Sequence, residues 1–315
     1  ELRHAERAWK EDIQRLHETE EQLKRLQDEV LTAVDRFDPN FDSNAVEKFK
    51  LLNNAVGKLS KAKGLTKFVL LNPLREWDAS LLWKDSFAPS LLKESIPDGQ
   101  MKLLFRQAIW KFLAERLFDR AQPFASYGGE VGKLATSLEF VRLFPDHETN
   151  EHAGKWRSVT IRQLSACPES EQDQKEFRLG LVKEFAAWFH RWLVPSEKFT
   201  VEEIERAATE KGDLNKRLED TLSQAIGLSR LLMGERAAFS LVSPPLRDMA
   251  FKKEEDDSLT TALGHTVGVV DGADIETDVA GNVRLVGSPM LIKYGNAGGQ
   301  NLEQETVVVR AFVVM

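Results

Sequence analysis

A seven-residue recurrence at the start of the chain constrains its fold more than any other feature. Leu2, Trp9, Leu16, Leu23, Val30 and Phe37 recur every seven residues, with Ile13, Leu26 and Val34 beside them. Spacing of this kind drifts slowly around a helix, so the side chains form one seam that another helix can cover. Glu6–Lys10, Glu11–Arg15, Glu20–Lys24 and Glu21–Arg25 stand at i,i+4 in the favourable order and support the helix from outside. The second core position is poor: Glu20 and Gln27 fall there, or Asp12 and Thr19 in the alternative frame. The seam is therefore narrow. It suits a second copy, a partner helix or the protein's own body.

Asp38-Pro39-Asn40 ends this helix, because Pro39 lacks an amide hydrogen and disfavours helix at the residue before it. Asn44 with Glu47 reads as a capping box for a second helix, whose stripe is Val46, Phe49, Val56 and Leu59. Lys58, Lys61 and Lys63 sit near its negative end before Gly64. A short connection and matching lengths predict an antiparallel helical hairpin over residues 1–64.

A helical body is expected over 65–251. Leu65 to Asn72 is apolar before Pro73 and reads as a short strand or a buried turn. Met101 to Phe118 carries Leu104, Phe105, Ile109, Phe112, Leu113 and Leu117 on nearly every side, the pattern of a central buried helix. Further helices are predicted near 130–144, 156–165, 174–194, 200–211 and 213–233. Phe177, Leu181, Phe185, Trp188 and Trp192 align in the third of these, Thr200 with Glu203 forms a capping box, and Gly212 separates the last two.

Pro244-Pro245 and the charged run Lys252–Asp257 mark a change of character, after which the period switches to β. Thr266–Val270, Ile275–Val279, Val283–Val286, Met290–Tyr294 and Thr306–Val314 read as strands, punctuated by glycine-rich turns. Val307 to Val314 lacks simple alternation, which predicts cover on both faces. The fold class expected is thus mainly α with a small β-rich unit at 258–315 packed on the helical body, an α+β arrangement.

With 315 residues, 42% of them hydrophobic, and 18 Phe and 7 Trp, the chain can bury a sizeable core. Charged residues are mixed in sign and the net charge is only −7, without the footprint of a protein that wraps nucleic acid or lies on an anionic membrane. Cys167 stands alone, so neither an internal disulfide nor a thiolate metal site is expected. Glu1, Arg3, His4, Glu6 and Arg7 do not read as a signal peptide, and no apolar run approaches the roughly 20 residues of a membrane span. The expected setting is the cytoplasm, with the nucleus as alternative. The first residue is not Met, as in a piece of a longer protein.

Five features invite a chemical reading. Tyr127-Gly128-Gly129-Glu130-Val131-Gly132-Lys133-Leu134 resembles a phosphate loop, but that motif needs Gly at Tyr127 and a hydroxyl residue at Leu134. Asp146, His147, Glu148, Glu151 and His152 crowd one stretch, yet both zinc-protease spacings are missed, and on a helix the two His would point about 140° apart. Asp271, Asp274, Glu276 and Asp278 suggest a calcium loop, but counting from Asp274 puts Val279 where Gly is needed and Leu285 where Glu is needed. His190 has no nucleophile within a recognisable motif, and Lys58, Lys61, Lys63 and Lys67 lack interleaved aromatics for stacking on bases. No catalytic, cofactor-binding or metal-ligating residue is therefore assigned, and no cofactor is expected.

Two stretches, within Trp110 to Arg157 and within Leu291 to Val309, together resemble an uncharacterised family of filamentous-fungal proteins. One is Trp110 to Leu138 with Phe118, Pro123-Phe124 and Gly128-Gly129, followed by Trp156-Arg157. The other is Leu291-Ile292-Lys293-Tyr294-Gly295-Asn296, then Gly299-Gln300-Asn301 and Val307-Val308-Val309. Members share the order coiled-coil helix, helical body, short β-rich end. The resemblance implies a eukaryotic intracellular protein and carries over no activity and no functional residue.

The function expected from these features is protein–protein interaction or scaffolding through the seam Leu2, Trp9, Leu16, Leu23, Val30 and Phe37, by self-association or with a partner protein. An enzyme or ligand-binding module with an aromatic-lined pocket near 105–156 is the alternative, and nucleic-acid binding is third.

Overall fold

A computed structural model describes residues 41–62, 98–119, 126–127, 150–166, 171–190, 200–210, 212–243, 249–250, 258–261, 266–269 and 285–314. The chain divides into two units, Glu1–Phe41 and Asp42–Met315. The first helix of the expected hairpin, and with it the whole heptad seam, lies outside the described residues. So do 65–72, 130–144, Ile275–Val279 and the charged run 252–257.

The described part of the second unit is mostly helical, with a small three-stranded antiparallel sheet toward its C-terminus. Its helices are α1 (Phe41–Leu59), α2 (Asp98–Leu117), α3 (Glu151–Ala166), α4 (Glu171–His190), α5 (Val201–Thr209) and α6 (Asp213–Met233). Helix α1 begins before Asn44, so the capping box expected at Asn44 and Glu47 does not form the start. Asn44 stands inside the helix, and Asp42 supplies the acid in the first turn, where it complements the helix dipole. The box at the head of α5 forms as expected. The Thr200 hydroxyl accepts from the Glu203 amide at 3.3 Å, and the Glu203 carboxylate accepts from the Thr200 amide at 3.0 Å.

Aromatic side chains of α2 build the core. Leu104, Phe105, Ile109, Trp110, Phe112, Leu113 and Leu117 are all buried, as expected of a central helix. Trp110 stacks on Phe49 of α1 at 5.1 Å between centroids. On another side Phe112 meets Phe185 edge-on at 5.3 Å and Trp188 at 5.6 Å, while Phe105 meets Phe189 at 5.7 Å, all three partners on α4. Pairs in such offset or edge geometries contribute about 0.5–1.5 kcal/mol each beyond the area they bury. Helix α6 packs on α2, α3, α4 and α5, and so ties the bundle together.

The three-stranded sheet is β1 (Ala238–Val242), β6 (Met290–Tyr294) and β7 (Glu305–Val309), with β6 in the middle. Strand β1 lies inside the stretch read from sequence as helical body. It follows α6 after a short turn and pairs with β6 from Ala238 opposite Tyr294 to Val242 opposite Met290. A second sheet runs β2 (Met249–Ala250), β3 (Ser258–Thr261), β4 (Thr266–Val269), β8 (Phe312–Val314) and β5 (Leu285–Ser288) in that order, and β5 packs on α2. The single strand expected at Thr306–Val314 is broken at Arg310-Ala311 and divided between the two sheets. Val307, Val308 and Val309 are half-buried rather than covered on both faces, because the break lets each half serve a different sheet.

Candidate functional site

Among the described residues, buried polar side chains gather around the end of α6, where a helix must satisfy carbonyls that have no intrahelical partner. Arg157, on the buried face of α3, reaches into this end. Its Nε donates to the Met233 carbonyl at 3.3 Å, and its Nη2 donates to the carbonyls of Glu235, Arg236 and Ala237 at 3.0, 3.2 and 2.8 Å. Next to it the Ser158 hydroxyl donates to the Gly234 carbonyl at 2.6 Å. A cation at a helix C-terminus also complements the macrodipole.

Two glycines make the close approach feasible. A Cβ at Gly154 on α3 would lie 2.5 Å from the Arg236 carbonyl oxygen. From the β6–β7 turn, a Cβ at Gly299 would lie 2.9 Å from the Arg236 Cβ, and Gly299 also holds a φ of +79° that a side chain rarely adopts. The segment after α6 is thus held between a helix and a sheet turn.

A second contact lies one turn earlier on α6. Arg230 donates through Nε and Nη2 to the Ser126 carbonyl at 3.1 and 2.7 Å, and its guanidinium sits 4.4 Å above the Tyr127 ring, a cation–π geometry. The Tyr127 hydroxyl donates to the Ile161 carbonyl at 3.3 Å and lies 2.7 Å from the Ser165 hydroxyl. Other helix ends are treated alike. Arg217 Nη1 donates to the Lys58 carbonyl at the end of α1, and the Ser229 hydroxyl donates to the Leu117 carbonyl at the end of α2. Between α1 and α2, Arg106 Nη2 donates to Asn53 Oδ1 at 2.7 Å. Burial lowers the Arg106 pKa to about 10, which leaves it charged at neutral pH. These groups bond mainly to backbone carbonyls, and that chemistry fixes chain geometry.

The residues singled out from sequence do not converge. Tyr127 is buried in a cluster with Ala153, Ile161 and Met233, so its place at the head of the glycine-rich stretch is a packing role. Gly128 to Leu134 lies outside the described residues. Glu151 and His152 are exposed in the first turn of α3, where Asn150 Oδ1 accepts from the amides of His152 and Ala153 at 2.9 and 3.2 Å. Asp146, His147 and Glu148 lie outside the described residues, as do Cys167, Lys63, Lys67 and Asp271 to Asp278. His190 ends α4 half-buried. Among the described residues no group of three or more His, Cys, Asp or Glu is placed to hold a metal ion.

Sequence reasoning missed Arg157, Ser158, Arg217, Ser229 and Arg230. A faint signal exists: Ser229 interrupts Leu228, Leu231 and Leu232, and Arg157 stands one helical turn from Ala153 and Ile161, each a polar residue on an otherwise apolar face. No family model matches the chain, and no curated protein or solved structure matches it either. The resemblance to the fungal family accordingly lends no residue a role.

Proposed function

We propose that this chain works by binding another protein, as an interaction or scaffold protein of the cytoplasm or nucleus. The observation that carries the proposal is the seam Leu2, Trp9, Leu16, Leu23, Val30 and Phe37, which presents more apolar surface than an isolated helix can bury. Two features of the body support it. Phe105, Trp110 and Phe112, three of the aromatic rings within 105–156, are packed against Phe49, Phe185, Trp188 and Phe189. The buried polar side chains Arg157, Ser158 and Ser229 hold helix ends. Among the described residues no helix is long and apolar enough to cross a membrane.

The test is to replace Leu16, Leu23 and Val30 together by Asp. Light scattering should show loss of self-association, or a pull-down the loss of a bound partner, while circular dichroism and thermal melting show that the body remains folded. Unchanged mass, unchanged partner capture and unchanged helicity would together sink the proposal.

A further inference from the structure

We draw no further inference here: the strongest candidate, the apolar surface at Leu179, 42% exposed on the solvent-exposed first half of α4, carries nothing because nothing in the structure shows what covers it.

Discussion

Arg157 illustrates how much one side chain can hold in place. It is 3% exposed and gathers carbonyls from Met233 to Ala237, so truncating it leaves several buried acceptors without that donor. Replacement by Leu should cost about 3–5 kcal/mol, since each buried carbonyl left without a donor costs about 1–3 kcal/mol. Arg157→Lys should recover only part of this, because an ammonium cannot reproduce the planar fork that spans carbonyls on both sides. Urea unfolding of the two variants measures both losses, and a Lys variant as stable as the parent would show that charge alone matters. Glycines offer a sharper contrast. A Cβ at Gly180 meets nothing within 4 Å, whereas one at Gly154 meets the Arg236 carbonyl oxygen at 2.5 Å. Gly180→Ala should therefore stabilise by about 0.5–1 kcal/mol, through helix propensity and a less flexible unfolded chain. Gly154→Ala should destabilise by about 1–3 kcal/mol, through displacement of the α6–β1 segment. Opposite shifts of the denaturation midpoint are the expected result.

Among elements, α5 is short and depends on its start. The reciprocal bonds between Thr200 and Glu203 satisfy two amides that the helix itself cannot. Beside them the Glu202 carboxyl is held below its usual value, first by its own backbone amide and then by the Thr200 hydroxyl, with His190 adding a smaller attraction. A depressed folded-state pKa means that the unfolded chain binds the proton more tightly. The stabilising contribution is present above the ordinary carboxyl value of 4.5 and is lost as pH falls through the folded-state value. Thr200→Ala should cost about 1 kcal/mol at pH 7. At acid pH, below the folded-state value of Glu202, the difference from the parent should shrink, since that carboxylate is then protonated. Urea titrations at the two pH values check this, and an equal difference at both would separate the cap from the charge.

For the whole molecule, the junction after α6 joins the bundle to the sheets. Helix α3 grips it from one side, Gly299 of the β6–β7 turn approaches from another, and β1 continues directly into the three-stranded sheet. The Lys293 ammonium on β6 donates to both carboxylate oxygens of Asp42 at 2.8 and 2.9 Å, a second tie between sheet and helix. Strand β8 lies between β4 and β5, so its removal splits the five-stranded sheet, and β5 is the strand that packs on α2. Deleting residues 303–315 removes β7 and β8 together and should speed amide exchange in α2 and α6 as well as in the strands. Full protection of those helices in the shortened chain would mean that the body folds independently of its tail.

Much of the helical layout was legible in the sequence. The apolar girth of Met101 to Phe118, the Thr200–Glu203 box and the break at Gly212 are local signals, because capping and burial of a helix face involve residues a few positions apart. Strand β1 was not legible: Ala238–Val242 is five residues long and is a strand because β6, some fifty positions away, pairs with it. The start of α1 was misplaced for a related reason, since Asn44 and Glu47 fit a capping pattern that the longer helix overrides. The cluster at the end of α6 was also hidden, because Arg157 and the carbonyls it serves are separated by 76 to 80 positions. By itself the sequence determined a mainly helical chain with a β-rich end, because periodicity and capping act over a turn or two of chain. Only the tertiary structure decided which buried polar groups close which helix ends and how Val307 to Val314 is shared between two sheets, because those outcomes depend on backbone groups brought together from distant parts of the chain.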